Sequence, residues 1–136
     1  MKEVPKKERP EIRNIHVTDL MNYIMTPGAW VSILHRVSGA AIFLMLPFLL
    51  YLFQHSVQSE MSFDYFKGIL AHPLAKLVLL GLIWAYMHHF CAGFRHLFMD
   101  MHIGIEKDSS RNSAVSVLVV SLILTALAGL KLFGVF

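Results

Sequence analysis

The sequence predicts an all-α membrane protein with three transmembrane helices, and three observations carry that expectation. Of its 136 residues, 56% are hydrophobic and only 15% are charged. The apolar residues gather into three runs, at about residues 30–53, 73–99 and 114–136, each near or above the ~20 residues a helix needs to cross the hydrocarbon core. Backbone in lipid must satisfy its own hydrogen bonds, and apolar runs of this length do so as helices. The expected helices cover about residues 30–54, 73–100 and 112–136. Residues 1–29 then form a basic cytoplasmic arm, and residues 30–136 the three-helix domain.

The first run starts too far from the N-terminus and is too long for a cleaved signal peptide, and no small-residue cleavage pattern follows it. Cys91 is the single cysteine, so no intrachain disulfide framework is expected. Charge sets the orientation. The arm holds Lys2, Lys6, Lys7, Arg9 and Arg13, whereas residues 54–72 offer only Lys67. The second connection holds Lys107 and Arg111, close to Arg95 at the end of the second span. The positive-inside bias places the N-terminus and the second connection in the cytoplasm and the C-terminus outside. Lys131 snorkels to the outer interface. An arm of this composition has no core of its own, and it is expected to lie on a soluble partner.

The first span opens with SILHRVSG, in which Ser32, His35, Arg36 and Gly39 follow i, i+3, i+4, i+7 spacing and share one helix face. A hydroxyl, an imidazole and a guanidinium thus meet near the membrane surface. Such a group suits an anionic or carbonyl-bearing ligand, because arginine grips carboxylates bidentately and serine donates to a quinone oxygen. Gly39 and Ala40 permit close approach of a helix or a flat ligand. The alternative is an interfacial His-Arg pair, with Arg36 snorkelling to headgroups. Pro47 is expected to kink the helix.

The second span reads PLAKLVLLGLIWAYMHHFCAGFRHLFMD and carries His88, His89, Arg95, His96 and Asp100. Ionisable groups at membrane depth are costly, so they pair, face the protein interior or serve a site. Imidazole is also a common haem-iron ligand, and the span therefore points to a membrane-embedded redox subunit. His89 lies eleven residues before Asp100, about 16 Å deeper at the helical rise. His96 falls on nearly the same face, and Gly93 leaves space beside the imidazole for a porphyrin plane. His88 is about 100° around the helix, so the two neighbours do not both serve one iron. The Gly93 gap favours His89, leaving His88 as a hydrogen-bonded interhelical group or a neighbour of the pocket. The doublet still leaves a one-residue ambiguity in the ligand.

His35, near the cytoplasmic end of its helix, is expected to be too shallow to face His89 across one iron. No other histidine lies deep in the first or third span, so a second axial ligand must come from another chain. In the third span Ser116, Ser121, Thr125, Ala128 and Gly129 offer small packing positions.

The two blocks together resemble the cytochrome b large membrane-anchor subunit of succinate dehydrogenase (succinate:quinone oxidoreductase, respiratory complex II). The likeness runs through Arg9-Pro10, Ser32-x-x-His35-Arg36-x-Ser38-Gly39 and His89-x-x-x-Gly93-x-Arg95-His96-x-x-x-Asp100, and spans essentially the whole chain. It implies His89 as an axial ligand of haem b, Ser32 and Arg36 at a ubiquinone site, and His35 and Arg36 near the haem propionates. It also implies three partners: a flavoprotein carrying FAD, an iron–sulfur subunit, and a second small anchor supplying the other haem ligand. Succinate oxidation would then use no residue of this chain. The setting implied is a bacterial-type inner membrane. Glu11 and His102 depart from the family pattern, which has an apolar and a small residue at these places. Two rival functions fit parts of the sequence: a haem-free structural anchor for a soluble dehydrogenase, and a proton-relay subunit using His89, His96 and Asp100.

Overall fold

The computed structural model describes residues 16–22 and 24–135. The five cationic residues of the arm, Arg9-Pro10 and the expected docking of the arm on a partner fall outside the described residues. A 3-10 turn at Val17–Asn22 precedes four α-helices: α1 Pro27–Ser56, α2 Glu60–Ala71, α3 Pro73–Asp100 and α4 Lys107–Leu132. Helices α1, α3 and α4 are each long and apolar enough to cross a membrane.

Local chemistry sets the boundaries. Thr26 caps α1 by accepting a hydrogen bond from the Ala29 N–H at 3.3 Å, and Pro27 fills the first helical position, where its missing N–H costs nothing. The helix continues unbroken through Pro47. Ser59 caps α2 in the same way, accepting from the Ser62 N–H at 3.1 Å. The Ser62 hydroxyl donates to the His55 carbonyl at 2.6 Å and ties α2 to the end of α1. His72 ends α2 and starts α3, accepting from the Leu74 N–H at 3.2 Å through Nδ1. The turn from α3 to α4 takes left-handed backbone at His102 (φ 61°) and Gly104 (φ 73°). A non-glycine residue there is strained by about 1–2 kcal/mol, because its Cβ crowds the following carbonyl, and glycine alone at position 102 would remove that strain.

Helix α3 packs against both α1 and α4, which also touch each other. Apart from His88 and Arg95, the buried interface is made of small groups: Val31, Ser38, Ala85, Ala92, Ala114, Val117, Ser121 and Thr125. Large apolar side chains such as Phe43, Leu44, Leu97 and Leu122 face outward. This is the arrangement of a lipid-embedded bundle, where close backbone approach replaces hydrophobic burial as the cohesive force. Ser121 and Thr125 satisfy their hydroxyls on the α4 carbonyls of Leu118 and Ser121, at 3.1 and 2.7 Å. Gly129 is seated against Leu80. Ser116, by contrast, is exposed.

Candidate functional site

The centre of the site is a pair of imidazoles. His35 of α1 and His89 of α3 stack with ring centroids 4.1 Å apart and planes 9° from parallel. His89 Nδ1 lies 3.0 Å from the His35 carbonyl oxygen. His96 extends the cluster, its ring 5.0 Å from that of His35 and tilted by 50°.

Glycines let the rings in. A Cβ at Gly39 would stand 2.7 Å from His89 Cε1, and one at Gly93 would stand 3.6 Å from His35 Nε2. Each helix carries a His-x-x-x-Gly unit, His35/Gly39 on α1 and His89/Gly93 on α3. In the antiparallel pair each histidine faces the glycine of the other helix. The glycine beside His89 is thus Gly39, while Gly93, expected to open space there, borders His35.

The depth expected for His35 is also corrected. Helix α1 begins at Pro27 and α3 ends at Asp100, so His35 lies about 12 Å in from its end and His89 about 16 Å from its own. The rings span that small offset. The two imidazoles still do not clamp one iron between them, for a different reason: coordinating lone pairs lie in the ring plane, and stacked rings do not point them at each other.

His88 is fully enclosed, with its ring against Trp84 at 5.5 Å between centroids. Neither ring nitrogen makes a hydrogen bond; the Val31 backbone is within electrostatic reach but off hydrogen-bond geometry. The interhelical position expected of His88 is found without the expected hydrogen bond. Among the described residues, only the His88 nitrogens are sealed in without a partner. Nε2 of His89 has no hydrogen bond but is not sealed in.

Arg95 is buried and joins α3 to α4. Its Nε donates to Ser113 Oγ at 3.1 Å, and its Nη2 donates to Ser110 Oγ at 2.9 Å and to the Ser110 carbonyl at 3.2 Å. Its guanidinium also lies against Gly28 at the start of α1. The sequence reading missed this clamp; Ser110 and Ser113, three apart at the start of the third span, were its only signal. Charge-assisted bonds contribute about 1.5–3 kcal/mol each. Arg95→Met is therefore expected to lower stability by about 2–4 kcal/mol, read as a fall in the thermal midpoint of the detergent-solubilised protein.

Ser32 is half-buried and Arg36 exposed, and neither side chain hydrogen-bonds to a described residue. Several cavities lie away from the histidine cluster. One of about 490 Å³ sits between α2 and the end of α1. Another, of about 460 Å³, opens beside Thr26, Gly28, Ser110 and Arg111. Asp100 is exposed at the end of α3. Among the described residues no group of three His, Cys, Asp or Glu side chains is arranged to chelate a metal ion.

Fold and site together define a multi-pass membrane protein with an imidazole cluster between two of its spans. The chain belongs to the succinate dehydrogenase/fumarate reductase transmembrane subunit family, which it matches over residues 7–128. It is 38% identical to the succinate dehydrogenase cytochrome b556 subunit of Coxiella burnetii, over 82% of this chain and 90% of that protein. The subunit of the same name from Rickettsia bellii is 30% identical over 89% of this chain and 96% of its own. That of Paracoccus denitrificans is 28% identical over 98% of each. The resemblance drawn from the two motif blocks is therefore met at the level of the family, and the chain is a subunit of an oxidoreductase complex.

Proposed function

We propose that this chain is the haem b-binding anchor of succinate:quinone oxidoreductase, with His89 as the axial ligand that it contributes. The observation that carries this reading is the state of the His89 ring: Nδ1 is held by a carbonyl at 3.0 Å while Nε2 is unbonded. A ligating histidine needs its second nitrogen fixed in this way to set tautomer and orientation. The donor set fits a haem better than a free metal ion, because a macrocycle asks only an axial imidazole of the protein. When bound, haem b supplies a one-electron redox centre within the membrane.

The chain's own residues do the positioning. His89 presents Nε2, while His35 and Arg36 lie on the adjoining face of α1, suited to hold propionates. Ser32 and Arg36, whose side chains make no hydrogen bond to a described residue, suit the oxygens of ubiquinone at a surface completed by other subunits. The second axial ligand is assigned to a second small anchor, because His88 is enclosed and His35 is stacked on His89. Succinate oxidation itself belongs to a flavoprotein bearing FAD, with iron–sulfur clusters on a further subunit passing electrons to the quinone. The N-terminus and the α3–α4 turn face the cytoplasm of an inner membrane, and the C-terminus lies outside it.

A proton relay fits less well, because the rings of His35, His89 and His96 are not hydrogen-bonded to one another and form no wire among themselves. A haem-free anchor leaves the fixed tautomer of His89 without a use. Purification through a tag on this chain tests the assignment. It is expected to bring down a flavoprotein, an iron–sulfur protein and a second small membrane chain, together with succinate-dependent quinone reduction. Isolation of the chain without any dehydrogenase subunit would refute it.

A further inference from the structure

Helix α1 contributes two features to His89 that are neither ligands nor quinone contacts. The first is the His35 carbonyl. A carbonyl only accepts, so the 3.0 Å contact requires the proton to sit on Nδ1, which leaves the Nε2 lone pair free to coordinate. The same oxygen also accepts from the hydroxyl of buried Ser38 at 3.0 Å. The second feature is Gly39, one turn further along α1. The three atoms nearest to a Cβ placed there all belong to the His89 imidazole: Cε1 at 2.7 Å, Nδ1 at 3.0 Å and Nε2 at 3.7 Å. A contact of 2.7 Å is closer than non-bonded carbons approach, so any side chain at position 39 must displace the ring or part the helices.

We propose that Gly39 is a positioning residue for the axial histidine: its missing side chain lets the His89 ring settle against α1, where the His35 carbonyl holds Nδ1–H and directs Nε2 outward. The proposal rests on the haem assignment above. It differs from a general packing role for Gly39, because the space is taken by one side chain and not by the backbone of α3. Gly93 faces His35 at an ordinary 3.6 Å, and Gly81 has nothing within 4 Å, so neither carries the same constraint. A methyl group at Gly39 would push the ring off its carbonyl and turn Nε2 away from its coordinating direction.

A double-mutant cycle in the whole complex separates the two roles. The variants are Gly39→Ala, His89→Ala, the double variant, and Gly81→Ala as a control. The readouts are haem per flavin, the low-spin electron paramagnetic resonance signal, and the thermal midpoint. Gly39→Ala is expected to weaken haem retention by about tenfold or more, the scale of outer-shell changes at metal sites, or to shift the low-spin signal of the haem that remains. Gly81→Ala should do neither. In the His89→Ala background the added methyl meets no ring, so the double variant should match His89→Ala in assembly and thermal midpoint. Wild-type haem content and signal in Gly39→Ala would overturn the proposal. So would equal destabilisation by Gly39→Ala with and without the His89 ring, an outcome that also decides the matter if the single variant fails to assemble. Failure of the haem assignment looks different: His89→Ala would then keep its b-type haem.

Discussion

His89→Ala is expected to yield an assembled complex that has lost its haem. The substitution removes an imidazole whose Nδ1 is held by a carbonyl and whose Nε2 makes no hydrogen bond to a described residue. Deleting a ligand costs more than disturbing its outer shell, which already lowers metal affinity by about 10–100-fold. Haem per flavin is therefore predicted to fall below about a tenth of the wild-type value. His88→Leu is the matching control and resolves the ambiguity of the doublet. His88 is sealed in the bundle without a hydrogen bond, and an unsatisfied buried polar group costs about 1–3 kcal/mol. A leucine there should keep the haem and leave stability unchanged or raised. Haem lost from His88→Leu and kept in His89→Ala would transfer the ligand to the neighbour.

The second large effect concerns Arg36 and Ser32. Arg36→Leu is predicted to lower succinate-driven quinone reduction by about 10–100-fold, the equivalent of one charge-assisted hydrogen bond. Ser32→Ala, which removes a neutral donor, should cost about three- to tenfold. Neither side chain hydrogen-bonds to a described residue, so neither change should disturb the bundle. Succinate oxidation with a soluble dye as acceptor should accordingly persist in both variants. A parallel loss of dye and quinone activities would instead give these residues a part in assembly.

Much of this was legible in the sequence because lipid makes hydropathy a strong constraint. Apolar length alone announced the three spans, although it missed their starts: the cap Thr26 and Pro27 open α1 before residue 30, and α4 begins at Lys107, before residue 112. Helix α2 was not anticipated. It lies in the connection after α1, where hydropathy is weak, and its marker was the cap pair Ser59 and Ser62. The histidine cluster was visible as a violation of membrane composition, and helical spacing singled out His89, His35 and His96. Their mutual arrangement was not visible, because depth counted along one helix does not fix the register of two. The paired units His35/Gly39 and His89/Gly93 held that register in plain view; its physical content is a glycine on each helix that admits the ring of the other. The Arg95 clamp stayed hidden because serines at a helix start read equally well as capping residues.

As a haem-binding anchor, this chain would be a cytochrome. A reduced-minus-oxidised optical spectrum of the wild-type complex, purified through a tag on this chain and with its subunits identified, tests it most directly. A b-type haem signal in fixed ratio to flavin is expected, with the flavoprotein and iron–sulfur protein present. The same partners without any haem signal would contradict it, and would make the chain a structural anchor whose imidazole cluster serves another end.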